Sequence, residues 1–316
     1  MDRRLARKQA SARLLALSMA AFLLGIPACG GQSATAASPS PVEDCRGSTE
    51  TAPGGLTPTT AVRYVNLTVD GRLRDYRLFQ PSGLDSRKPF PLVLVLHGSP
   101  QDAAGLESII HFDDEATTAG FLEASPNGCG GLWSYAEGGS KSADEDFISK
   151  VIDQLESQFA IDKTRVFIAA VSAGTWVAYR LACDISNQIT AIASVSGTMK
   201  LSDPCQPARP VSILEMHGTL DSQHPWAGGG PHNASPVDAV IQRWTQLDGC
   251  AGGPAVTQTG ITVTSAWTCQ GGSVVRLDKV VGGHHTWFGA PFDPVVGEPN
   301  ANVVIWNFFN SLHPSR

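Results

Sequence analysis

Three things are scarce in this 316-residue sequence, and each scarcity removes a class of function. Charge is the first: 16% of the residues are Asp, Glu, Lys or Arg, the formal net charge is −6, and Lys and Arg cluster only at the N-terminus. A nucleic-acid-binding surface needs a basic stripe to neutralise phosphates, so nucleic acid is excluded as a partner and a small molecule or neutral polymer is expected. Metal-ligand spacing is the second. The seven cysteines form no C-x-x-C pair and no His/Cys cluster at zinc spacing, which argues against a structural metal. The third is a long apolar run: Leu14 to Ala28 is too short and wrongly flanked for a transmembrane helix. Internal repeats are absent as well.

The chain does have enough apolar residues, 42%, to bury a sizeable core, and this length suits one large α/β domain. Arg3, Arg4, Arg7, Lys8 and Arg13 precede the apolar stretch, the order of a secretory signal. Ile26-Pro27-Ala28-Cys29, followed by Gly30-Gly31, is similar to a bacterial lipobox, which would make Cys29 a lipidation site and a membrane anchor, although Pro27 departs from the usual pattern. Residues 1–29 therefore read as a signal segment, 30–60 as a polar Ser/Ala/Pro linker and 61–316 as the catalytic domain. With Cys29 set aside, six cysteines remain (Cys45, Cys129, Cys183, Cys205, Cys250 and Cys269), an even number suited to three disulfides outside the cytoplasm.

From Ala61 onward strands and helices alternate. Val62–Val69 and Arg74–Phe79 read as a hairpin around Asp70-Gly71. Pro91–Leu96 is apolar throughout, as a central strand covered on both faces must be. Further strands are predicted at 120–124, 165–170, 192–195, 211–216 and 274–281, and helices at 144–159, after Ser172, at 236–246 and at 301–312. This alternation predicts a mostly parallel sheet with helices on both faces.

In such sheets, sites gather beyond the carboxyl ends of the strands. Ala170-Val171-Ser172-Ala173-Gly174 ends one strand with a hydroxyl among small residues, the pattern of a nucleophile elbow, although Ser is also a common helix cap. His217-Gly218-Thr219-Leu220-Asp221 ends another, and Gly282-Gly283-His284-His285-Thr286-Trp287 follows a third. The chain order Ser, Asp, His is that of an α/β-hydrolase triad. A serine hydroxyl is a poor nucleophile until an imidazole accepts its proton, and the imidazole needs a carboxylate to fix its tautomer. Either His284 or His285 meets that need at this point.

Leu96-His97-Gly98, Ser172-Ala173-Gly174, His217-Gly218-Thr219 with Asp221, and Gly283-His284-His285-Thr286-Trp287 together resemble the secreted esterases that include polyhydroxybutyrate depolymerases and bacterial feruloyl and acetylxylan esterases. The resemblance spans about Val62 to Leu312 and implies an α/β-hydrolase fold. It implies Ser172, Asp221 and His285 as the catalytic residues, with His284 where the family usually has glycine. It also implies the pairs Cys183–Cys205 and Cys250–Cys269, leaving Cys45 with Cys129. Two positions depart from the family pattern: Ala170 stands where glycine is frequent, and Ser99 where cysteine is frequent. Because an oxyanion hole uses main-chain N–H groups, its expected donors are those of Ser99 and Ala173 whatever their side chains.

The expected activity is cofactor-free hydrolysis of carboxylic esters through an acyl-enzyme, on feruloyl or acetyl sugar esters or short hydroxyalkanoate oligomers. Trp133 and Trp287 are candidate lining residues of the acyl pocket. A serine peptidase of the same fold and an inactive surface-binding lipoprotein are the rival readings, and covalent labelling by a fluorophosphonate separates the last from the other two.

Overall fold

The computed structural model describes residues 43–47, 61–85, 87–134 and 142–312, so the signal segment and Cys29 lie outside the described residues. Among these residues no helix is long and apolar enough to cross a membrane. One sheet contains β1 (Glu43–Asp44), β2 (Val62–Val69), β3 (Arg72–Phe79), β4 (Phe90–Leu96), β5 (Leu122–Pro126), β6 (Ile161–Val171), β7 (Ala191–Val195), β8 (Ser212–Gly218), β9 (Ala255–Thr259), β10 (Thr262–Thr268) and β11 (Val274–Val280). Its order is β1-β3-β5-β4-β6-β7-β8-β11-β10-β9, with β2 also paired to β3. The six strands from β5 to β11 in that order run parallel. The β2–β3 hairpin closes one end antiparallel, and β10 and β9 close the other.

The sequence accounts for this arrangement locally. Every residue of β4 is buried, which only an apolar run tolerates at the centre of a two-sided sheet. Asp70 and Gly71 both take positive φ, 50° and 75°, the backbone that a tight two-residue hairpin requires. Among the described residues six helices cover the two faces: α1 (Ala103–Ile110), α2 (Phe112–Ala119), α3 (Ala143–Gln158), α4 (Ala173–Asp184), α5 (Val237–Leu247) and α6 (Ala301–Ser311). On one face Phe147, Ile148 and Leu155 of α3, Val177 and Leu181 of α4, and Val240 and Trp244 of α5 pack on Leu92, Leu94 and Ile168. On the other, Leu106 and Ile110 of α1, Phe112 of α2, and Ile305 and Phe309 of α6 pack on Val93, Val95 and Phe167. Each fully buried side chain of this kind is worth about 1.5–3 kcal/mol, so the two layers hold the strand ends in fixed register. Helix starts are capped: Asp102 accepts the Gly105 N–H at 2.7 Å, and Ser142 accepts the Glu145 N–H at 3.4 Å ahead of an acidic first turn.

One boundary needs correction. The stretch 30–60 is not linker throughout, because residues 43–47 belong to the folded unit. β1 pairs with β3, Cys45 is bonded to Cys129, and the Gly47 N–H donates to Asp75 at 2.8 Å. A strand of two residues leaves no periodicity to read. The other cysteines are joined as Cys183–Cys205 and Cys250–Cys269. Short α1 and α2 and the β9–β10 hairpin are further elements that the sequence pattern did not announce.

Candidate active site

Ser172 sits at the turn from β6 into α4, with φ 53° and ψ −122°. A non-glycine residue at positive φ is strained by about 1–3 kcal/mol and persists only where its surroundings enforce it. Here the Ser172 N–H donates to the Val195 carbonyl at 3.0 Å, and its own carbonyl accepts from the Thr175 N–H at 3.0 Å and the Thr175 hydroxyl at 2.6 Å. Small neighbours make the turn possible. A Cβ on Gly174 would fall 2.6 Å from the His97 carbonyl oxygen, and one on Gly197 would fall 2.7 Å from that of Ser172. The Ser172 side chain makes no capping bond to α4. Its hydroxyl faces His285 Nε2 instead, at 2.9 Å.

His285 Nδ1 lies 2.8 Å from Asp221 Oδ2. An ionised carboxylate only accepts, so Nδ1 carries the hydrogen and Nε2 presents a lone pair to the serine O–H. Backbone contacts bring these two residues together from different strands. Past the ends of β8 and β11 the Leu220 N–H donates to the Gly283 carbonyl at 2.9 Å and the Thr219 N–H to the Val280 carbonyl at 3.0 Å. This approach requires a bare Gly218, since a Cβ there would meet the Gly283 oxygen at 2.2 Å. Asp221 is buried, and its Oδ1 accepts the N–H groups of Gln223 and His224 at 2.8 and 2.7 Å. Burial pushes this carboxyl up, but the His285 hydrogen bond and charge, the His224 N–H and the nearby His217 outweigh it and hold Asp221 below its ordinary value. His284 faces the other way, with Nδ1 2.8 Å from Asp293 in an exposed pair.

A cavity of about 260 Å³ opens beside Ser172 and His285. Leu106, Ile109, Ile110, Trp287, Ala290 and Phe292 form its apolar wall, and Gly98, Ser99 and Gln101 its polar rim. Ala173 is the first residue of α4, where backbone N–H groups have no partner within the helix. Trp287 thus borders the cavity, whereas Trp133 does not and is corrected to a bracing role. Its indole is buried, stacks on His97 at 4.5 Å between centroids and donates to the His97 carbonyl at 2.8 Å. His97 Nε2 in turn accepts the Gly128 N–H at 2.9 Å, so Nδ1 carries the hydrogen it donates to the Gly98 carbonyl at 2.6 Å. Burial lowers the pKa of this imidazole. Trp133 and His97 together shape the backbone of the Gly98-Ser99 rim from behind.

Among the described residues two groups have the chemistry of metal ligands. Glu107, Asp113 and Glu123 place carboxylate oxygens within 4.8 Å of one another, but the Arg77 guanidinium is bonded through both Nη atoms to Asp113 and already supplies a cation. Burial and the Asp113 charge push Glu107 up to about 7, as expected of crowded carboxyls sharing one counter-ion. The second group, Glu43 with Cys45 and Cys129, has its sulfurs committed to a disulfide.

The sequence reading named His217 only within its motif, without a role, and missed two further buried groups around this centre, His224 and Glu215. His224 is wedged between the Trp176 ring, stacked at 5.5 Å, and the edge of His285, at 5.3 Å. Burial and the neighbouring His285 charge hold it down to about 3, so it stays neutral. Glu215 and His217 lie behind Asp221. Their signal was legible: a Glu and a His at alternate positions of the apolar run Ser212–Gly218 conflict with a buried strand unless they pair.

No family model matches the chain. Over 151 residues it is 34% identical to a bifunctional acetylxylan esterase/xylanase of Neocallimastix patriciarum, a match that spans 48% of this chain and 22% of that protein. It is 28% identical to feruloyl esterase C of Emericella nidulans over 246 residues, 75% of this chain and 83% of that enzyme. Among solved structures, the acetyl xylan esterase of Aspergillus awamori superposes with a TM-score of 0.55 at 14% identity, covering 78% of this chain and 99% of that one. The fold is that of the α/β-hydrolases.

Proposed function

We propose that this carboxylic ester hydrolase of the α/β-hydrolase fold works through an acyl-enzyme on Ser172, with His285 as general base and Asp221 as the carboxylate that orients it. The observation that carries the reading is the unbroken run of two hydrogen bonds, 2.9 Å from Ser172 Oγ to His285 Nε2 and 2.8 Å from His285 Nδ1 to Asp221 Oδ2, at the mouth of an apolar cavity. The serine proton passes to Nε2 as Oγ attacks the ester carbonyl carbon. Charge developing on the carbonyl oxygen meets the N–H groups of Ser99 and Ala173, and each such donor is typically worth about 10²–10³ in rate. Collapse of the tetrahedral intermediate expels the alcohol, which takes the proton from Nε2. Water then repeats the sequence against the acyl-enzyme and releases the acid.

The acyl group occupies the cavity walled by Leu106, Ile109, Ile110, Trp287 and Phe292, and its uncharged lining suits a feruloyl, acetyl or short hydroxyalkanoyl group. Export through residues 1–29, with attachment through a lipidated Cys29, completes the proposal. The three disulfides support an oxidising compartment.

Hydrolysis of p-nitrophenyl acetate and methyl ferulate by the purified protein, beside Ser172→Ala, tests the core of the reading. Turnover by the wild type alone supports it. Equal rates in two folded proteins, with no fluorophosphonate labelling of either, would leave a binding protein in its place.

A further inference from the structure

Behind Asp221 lies a second carboxylate–imidazole pair that ester cleavage by the first does not use. Glu215 and His217 occupy alternate positions of β8, so both side chains point to the same face of the sheet, and both are fully buried. His217 Nδ1 is 2.9 Å from Glu215 Oε1, and its Nε2 is 2.8 Å from the His224 carbonyl oxygen. Nε2 also approaches Asp221 Oδ2 to 3.6 Å. The Tyr179 hydroxyl donates to the other Glu215 oxygen at 2.8 Å.

These contacts fix the protons. A main-chain carbonyl only accepts, so Nε2 of His217 carries a hydrogen. The next proton lies between Nδ1 and Glu215 Oε1. With the Asp221 carboxylate beside the ring, placing that proton on nitrogen puts a positive charge between two carboxylates, where it gains most from both. Burial opposes both charges and raises the Glu215 carboxyl above its ordinary value. Burial alone would lower the His217 pKa, but Glu215, the His224 carbonyl and Asp221 together raise it. His224 packs alongside as a neutral ring. Lys279 is paired with His217 in the β8–β11 register and holds its ammonium 4.9 Å from the Trp226 ring. Trp226 stands edge-on to His217 at 6.0 Å.

We infer that His217 is a positioning residue, an imidazolium locked in place by Glu215 that keeps Asp221 ionised, pins the turn from Asp221 to His224 and thereby moderates the basicity of His285. The inference rests on the reading of His285 as the general base. Glu215→Gln is the informative variant, because an amide can donate to Nδ1 and leave His217 neutral with little change of shape. Without the positive charge next to Asp221, the His285 imidazolium is better stabilised. The acid limb of kcat/KM is therefore expected to move up by about half a pH unit, with KM changed less than about twofold. A purely structural role would lower kcat or Tm and leave the limb in place.

Ring-nitrogen NMR of histidine-labelled wild-type protein, with His217→Gln to identify the signals, reads the protonation directly and needs no active variant. Two protonated nitrogens on His217 from about pH 6 to pH 8, reduced to one in Glu215→Gln, together with the moved limb, support the inference. A neutral His217 in the wild type, or an unmoved limb in a folded Glu215→Gln protein, overturns it. Turnover that survives Ser172→Ala would overturn the acyl-enzyme reading instead, in an assay that neither Glu215 nor His217 variants enter.

Discussion

Two histidine–carboxylate pairs stand within one residue's reach of each other in this protein, and their hydrogen bonds are nearly equal in length: 2.8 Å for His285 to Asp221 and 2.9 Å for His217 to Glu215. What differs is the far side of each ring. His285 turns its second nitrogen to a serine hydroxyl, which can give up a proton, and its side chain is 21% exposed. His217 turns its second nitrogen to a carbonyl, which cannot, and is sealed from solvent. On the readings proposed above, the same two side-chain types make a proton carrier in one place and a fixed charge in the other. The partner on the second nitrogen, more than the carboxylate, decides which.

Substitutions that abolish the mobile pair test the contrast most severely. Ser172→Ala is expected to lower kcat by about 10⁴-fold or more, measured on p-nitrophenyl acetate, because the proton then has no origin. Asp221→Asn follows at about 10³-fold, since an amide opposite Nδ1 favours the wrong tautomer. That variant also carries a stability signature. The folded-state pKa of Asp221 lies below its ordinary value, so its ionisation stabilises the fold above the ordinary carboxylate range, and that contribution is lost as pH falls through the folded value. The Tm gap between wild type and Asp221→Asn should be wider at pH 7 than at pH 3, and an equal gap at both would refute the assigned charge. A backbone test comes next: Gly174→Ala should cost about 1–3 kcal/mol in urea unfolding, because its methyl would press on the carbonyls of Leu96 and His97. The smallest effect belongs to His284→Ala. Its exposed pair with Asp293 points away from Ser172, so kcat/KM should stay within about twofold of wild type.

Much of this was legible in the chain, for reasons that differ by element. Apolar runs announced β4 and the inner part of β6 because two-sided burial leaves only one kind of sequence. The β9–β10 hairpin went unread because Ala-Val-Thr-Gln-Thr of β9, with every residue exposed, carries no hydrophobic alternation. Helix α2 escaped for a related reason: Phe112-Asp-Asp-Glu-Ala-Thr-Thr-Ala buries only Phe112 and Ala116, and its start depends on His111 taking a left-handed backbone. At the site, residue order pointed to Ser172, Asp221 and the His284-His285 pair, while the choice between the two imidazoles rested on resemblance. Which way each ring faces is a matter of loop geometry, set by Gly218 against Gly283, that no local pattern encodes. Trp133 was misassigned because a tryptophan in a Gly-rich loop looks the same in sequence whether it meets a ligand or props a backbone.

One half of the cavity's apolar wall is built apart from the hydrogen-bonded run of Ser172, His285 and Asp221, and the other half follows His285 directly in the chain. Leu106, Ile109 and Ile110 come from α1, whereas Ser172, Asp221 and His285 are fixed by the ends of β6, β8 and β11. On the reading proposed above, the eight residues of α1 can be rewritten for a longer or bulkier acyl group while Ser172, Asp221 and His285 stay in place.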